Sequence, residues 1–114
     1  MVVVYGIKNC DTVKKARLWL DNNGIAHQFH DYRVDGLTQA RLENFAAQLG
    51  WETMLNRSST SWRQLTPEQQ ADLTETKVLQ LMLEIPTLIK RPILDTGSEL
   101  LLGFKPDIYQ AKLT

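Results

Sequence analysis

The sequence predicts an α/β fold with a mixed sheet, ordered βαβ, then a helical segment, then ββα. Three observations carry this prediction. Val2-Val3-Val4-Tyr5 is short, β-branched and not alternating, as a strand covered on both faces reads. From Thr12 the apolar period becomes helical, and a second strand-like run follows. Strand, helix and strand within about 30 residues make a βαβ unit with a right-handed crossover. Near the end of the chain, Ile93-Leu94 and Leu100-Leu101-Leu102 flank the turn Asp95-Thr96-Gly97-Ser98, which reads as a hairpin.

In order along the chain, Val13, Ala16 and Leu20 keep helical spacing with Trp19 beside them, while Lys14, Lys15 and Arg17 take the wet side. Asn22-Asn23-Gly24 ends that helix, with Gly24 at a left-handed C′ position. Ile25 to Tyr32 reads as a strand, and Val34-Asp35-Gly36 as a turn. Thr38 caps a helix whose stripe is Leu42, Phe45, Ala46 and Leu49, and Gly50 ends it. Trp51 to Asn56 is ambiguous, with Trp51, Met54 and Leu55 core-facing, and Arg57-Ser58-Ser59-Thr60-Ser61 reads as an irregular polar loop. Thr66-Pro67-Glu68-Gln69 is a helix-start signal, and Thr74 caps a further helix bearing Val78, Leu79, Met82 and Leu83. Ile85-Pro86 breaks it. Pro106 opens a closing helix from Asp107 to Leu113. No Gly/Ser linker isolates the middle, so residues 1–114 read as one domain. Its α/β core spans about 1–35 and 85–114, and its helical insertion about 37–84.

Composition narrows the function. Lysine plus arginine and aspartate plus glutamate number 13 each, which gives no electrostatic case for nucleic acid or a membrane surface. No apolar run is long enough to span a bilayer, and the first residues are strand-like rather than a signal peptide. The single cysteine excludes an internal disulfide and a cysteine-rich zinc site. A cytoplasmic monomer with a reduced thiol and no bound metal or cofactor is expected. His27 and His30 lie three apart in a strand pattern, point to opposite faces and are expected to be structural.

Cys10 stands where the first strand hands over to the first helix. Free backbone N–H groups and the positive end of the helix dipole favour an anion there, and the thiolate is the nucleophilic form of cysteine. The alternative is an inert core cysteine, against which the polar neighbours Asn9, Asp11 and Thr12 argue. Lys8 either stabilises the thiolate or is simply exposed. Thr12 either bonds the sulfur or caps the helix, and capping is the expected role.

With Cys at the first strand–helix turn and Pro92 before the third strand, the order βαβ…ββα looks like the thioredoxin fold, a mixed sheet here carrying a helical insertion. Within it the sequence resembles the arsenate reductase (ArsC)/Spx family, most closely its YffB-like branch. The carrying residues are Tyr5 to Ala16, Asn56-Arg57 with Trp62-Arg63, Ile89 to Ile93, and Gly103 to Pro106, in family order over nearly the whole chain.

The resemblance implies that the Arg91–Pro92 peptide is cis and abuts Cys10. It implies a thiol reductase in which Cys10 is the nucleophile and an anion is held by Arg57, Arg91 and Lys105, with Lys8, Asn9, Thr12 and Pro92 in support. Separately, Arg57 and Arg91 read as ordinary surface arginines; the resemblance makes them a pair, with Arg63 in reserve. Without a second cysteine, the resolving thiol is glutathione or a glutaredoxin-like partner, and the substrate a small oxyanion or a disulfide. Three departures bear on arsenate. Lys105 replaces an arginine and loses its planar fork, Gly6 stands where those reductases carry His, and Val13 where they carry Ser. Weak or absent arsenate reduction is expected, raised by Lys105→Arg, with Gly6→His added where the fold tolerates it. The rival reading is an Spx-like transcriptional regulator binding RNA polymerase. The Cys-x-x-Cys switch that many Spx proteins carry is excluded here by Val13.

Overall fold

The computed structural model describes all residues, 1–114. The elements are β1 (Val2–Gly6), α1 (Asp11–Asn22), β2 (His27–Asp31), α2 (Gln39–Leu49), α3 (Trp51–Met54), α4 (Thr60–Arg63), α5 (Pro67–Gln70), α6 (Glu75–Glu84), a 3₁₀ turn (Pro86–Leu88), β3 (Ile93–Asp95), β4 (Leu100–Leu102) and α7 (Pro106–Leu113). The chain divides into two compact units, Met1–Gly36 with Arg91–Thr114, and Leu37–Lys90.

The first unit holds a four-stranded mixed sheet of order β2-β1-β3-β4. β1 pairs with β2 in parallel, from Val2 opposite His27 to Gly6 opposite Asp31, and with β3 antiparallel, Val4 facing Leu94. β3 and β4 form the antiparallel hairpin. This is the α/β, thioredoxin-like arrangement that the element order predicts. Val13, Ala16 and Leu20 of α1 are buried with Val4, Leu94 and Tyr109, and Cys10, Trp19, Phe29 and Phe104 pack around them. The Tyr109 ring meets Trp19 and Phe104 edge-on at 5.6 and 5.0 Å, and its hydroxyl donates to the Gly103 carbonyl. Aromatic edges and a satisfied phenol make α7 the lid of this core. β2 is shorter than its apolar pattern, because the Ile25 N–H donates to Leu20 O and closes the end of α1 instead of entering the sheet.

In the second unit, Leu42, Phe45, Ala46, Met54, Leu55, Val78, Leu79, Leu81 and Met82 are buried. The caps are those expected: Thr38 and Thr74 accept from Arg41 N–H and Lys77 N–H, and Thr66 with Gln69 completes a capping box. One ambiguous stretch resolves and one local reading changes. Trp51–Met54 is helical, and the stretch read as an irregular loop enters helix at Thr60, because the Ser59 hydroxyl accepts from Trp62 N–H and starts α4. The second unit runs to Lys90 rather than ending near Glu84. Asn56 N–H donates to Leu88 O, Lys90 N–H to Met54 O, and Leu55 bridges Ile89, which ties the 3₁₀ turn to this unit.

Candidate active site

The turn before α1 is fixed by a buried carboxylate. Asp31, 6% exposed at the end of β2, accepts from Lys8 N–H at 3.2 Å and Arg33 N–H at 2.8 Å. Its own N–H donates to the Asp35 carboxylate at 2.9 Å. Two strand-to-loop exits, after β1 and after β2, are thereby clamped together. The sequence reading missed Asp31. Its only signal was an acid at the end of a strand pattern, which is common at any turn.

Cys10 follows this turn as the N-cap residue of α1, half-buried and with extended backbone (φ −132°, ψ 121°). Its carbonyl accepts Lys14 N–H at 3.0 Å, which starts the helix. Thr12 therefore lies inside the first turn and does not cap it, contrary to the capping role expected. Burial pushes the Cys10 thiol up; against it act a hydrogen bond from Val13 N–H, then the hydrogen bond and charge of Arg91, then Thr12 N–H, and together they hold the thiol below its ordinary value of 9.0. These amides have no partner within a helix, so a sulfur anion satisfies them. Lowering a thiol's pKa by such donors is what makes a cysteine nucleophilic near neutral pH.

Arg91 reaches the sulfur from just before β3, and the Arg91–Pro92 peptide is cis, as the resemblance implies. Pro92 is buried. Lys105 is the exposed N-cap residue of α7 and lines a groove with Leu100, Leu101, Leu102 and Ile108; it is not among the groups acting on the thiol. Arg57 belongs to the second unit, exposed, with its guanidinium 5.6 Å from the Trp62 ring centre. Arg63 in the same unit donates to Ser58 O and to the Thr60 hydroxyl. Lys8 and Asn9 are exposed beside Cys10. No group of three or more His, Cys, Asp or Glu side chains is disposed to hold a metal, and no helix is long and apolar enough to cross a membrane.

Known proteins resemble this chain along nearly its whole length. The profile of the ArsC family matches residues 5–112. The solved structure of a YFFB protein is 50% identical, covers 100% of both chains and superposes with a TM-score of 0.96. An arsenate reductase (ArsC) related protein from Brucella melitensis is 44% identical, covers 96% of this chain and 92% of its own, and has a TM-score of 0.79. The global transcriptional regulator Spx 1 of Lactococcus lactis is 27% identical over 99% of this chain and 89% of its own.

Proposed function

Because the chain belongs to the ArsC family, we propose that it is a thiol reductase that uses Cys10 as nucleophile and glutathione, or a glutaredoxin-like protein, as thiol donor. The observation that carries this reading is the Cys10 sulfur held among Val13 N–H, Thr12 N–H and Arg91. The Cys10 thiolate attacks one sulfur of a disulfide substrate; the new S–S bond forms as the old one breaks, and the departing thiolate takes a proton from water. A thiolate from the donor then attacks the Cys10 mixed disulfide and returns Cys10 to its starting state, which a chain with one cysteine cannot do for itself. Arg91 stabilises the thiolate and receives the anionic part of the substrate. Arg57 and Lys105 complete the anion site in this reading, and support for them comes from family position alone.

The test is glutathione-dependent turnover with a panel of mixed disulfides and oxyanions. Cys10→Ser is expected to fall to the uncatalysed background with every substrate, and retained turnover would remove Cys10 from the reaction. Arsenate is expected to be a poor substrate, because Lys105 is a point charge where a planar fork grips an oxyanion. Lys105→Arg should raise any arsenate activity. Unchanged anion binding in Arg57→Ala and Lys105→Ala would remove these two residues from the anion site.

A second reading is favoured by the similarity to Spx 1 over nearly the full chain: a regulator that contacts RNA polymerase. Val13 occupies the second position of a Cys-x-x-Cys pattern, so such contact would be independent of a disulfide switch. Capture of RNA polymerase by a protein lacking any thiol turnover would favour it.

A further inference from the structure

A second cationic feature lies on the outer side of α1. Lys8, Val13, Lys14, Arg17, Leu18 and Asp21 line an open groove of about 210 Å³. Three of these six side chains are cations, in a chain of zero net charge. None of the three lies within ion-pair distance of a protein carboxylate; Lys112 pairs with Glu99, and Asp21 lies 3.9 Å from His27 Nδ1. The Arg17 guanidinium is held 4.5 Å from the centre of the Phe29 ring, which fixes the charge on the wall of the groove. Leu18 is left 59% exposed beside it, an apolar surface among charges.

The placement relative to Cys10 gives the groove its meaning. Lys14, Arg17 and Asp21 follow the i, i+3, i+7 stripe of one face of α1, the helix that Cys10 opens as N-cap residue. Lys14 is one turn, about 6 Å of helix rise, from the cysteine, and Arg17 about 10 Å. Helical side chains lean towards the N-terminus, so both stems reach back towards the Cys10 end. Lys8 approaches from the chain entering the same turn. Asp21 closes the far end with the opposite charge, which gives the groove a polarity.

We propose that this groove is the carboxylate subsite for a small anionic peptide thiol joined to, or exchanging with, Cys10. Its cations would take one carboxylate of glutathione, leaving the other to the Arg91 side of the sulfur. The inference rests on the thiol-reductase reading and names a substrate class for it: disulfides carrying carboxylates rather than amines. In the step concerned, the Cys10 thiolate attacks one sulfur of glutathione disulfide; the Cys10–glutathione bond forms, the original S–S bond breaks, and one glutathione thiolate leaves and is protonated by water.

The experiment compares second-order rates of Cys10 with glutathione disulfide (anionic), hydroxyethyl disulfide (neutral) and cystamine (cationic). The wild type is compared with Lys14→Gln/Arg17→Gln, a pair of exposed, helix-compatible changes. A parallel titration measures binding of unreactive S-methylglutathione. The wild type is expected to prefer the anionic over the cationic disulfide, and the double variant to lose about fivefold of that ratio, with a matching loss of S-methylglutathione affinity and a flatter salt dependence. Lys14→Arg should keep the preference. An unchanged ratio and unchanged S-methylglutathione binding in the double variant would overturn the groove assignment while leaving the reductase reading intact. Failure of all three disulfides to react would overturn the reductase reading, and the subsite with it.

Discussion

Replacing Arg91 with Ala is expected to raise the pH at which Cys10 becomes reactive and to slow its alkylation near neutral pH by roughly tenfold or more. That is the worth of one charge-assisted hydrogen bond to an anion, about 1.5–3 kcal/mol. In the native protein, burial opposes ionisation of this thiol, and Val13 N–H, Arg91 and Thr12 N–H outweigh it. Removing Arg91 leaves the burial and takes away both a hydrogen bond and a charge. The amides remain, so reactivity should drop rather than vanish. Arg91→Lys keeps a charge without the fork and should fall between the two. The measurement is the rate of iodoacetamide alkylation against pH; a midpoint that does not move in Arg91→Ala would exclude Arg91 as the stabiliser. The sign also extends to stability. A thiol whose pKa is lowered on folding contributes stability that is fully present above its ordinary value of 9.0 and is lost as pH falls through the lowered value. The stability advantage of wild type over Cys10→Ser should therefore grow as pH rises towards 9.0.

Substitution of Gly6 is expected to have the other large effect, on folding. A Cβ at Gly6 would lie 2.8 Å from Val13 Cγ2, with the rest of the Val13 side chain at 3.7 and 3.9 Å. Val13 is 1% exposed and stiff at χ1, so it has nowhere to turn. Overpacking of this kind costs about 1–3 kcal/mol, or on the order of 10 °C in Tm for a domain of this size. Gly6→Ala should show such a loss, and Gly6→His a larger one. The cost should shrink by about 1 kcal/mol or more when Val13 is first cut to Ala or Ser, a coupling that a double-mutant cycle reads directly. Additive effects would refute the contact. The condition that Gly6→His be tolerated is thereby given a physical form: His at this position requires a small residue at 13. The two departures from the arsenate reductases, Gly6 for His and Val13 for Ser, are one packing unit. A variant aimed at arsenate should carry Gly6→His with Val13→Ser, together with Lys105→Arg.

The order of elements was legible in the sequence because it rests on local signals. Apolar period separates β1 from α1. Thr38, Thr66 and Thr74 announce helices through their own hydroxyls, and Gly97 at φ 98° sits in the hairpin turn between β3 and β4. Cys10 as a candidate nucleophile was legible too, because a strand-to-helix turn supplies its own amides. Tertiary structure decided what depends on residues distant in sequence. It tied Asp31 to Lys8 across the two strand exits, brought Arg91 to the sulfur, and set Val13 against Gly6. It put Lys105 on a groove shared with β4. It also gathered Lys8, Lys14 and Arg17 into one groove, with Phe29 of β2 holding Arg17 in place. Period and capping are properties of a few consecutive residues. Which cation meets which anion depends on strand register and helix packing, and one sequence read alone contains neither.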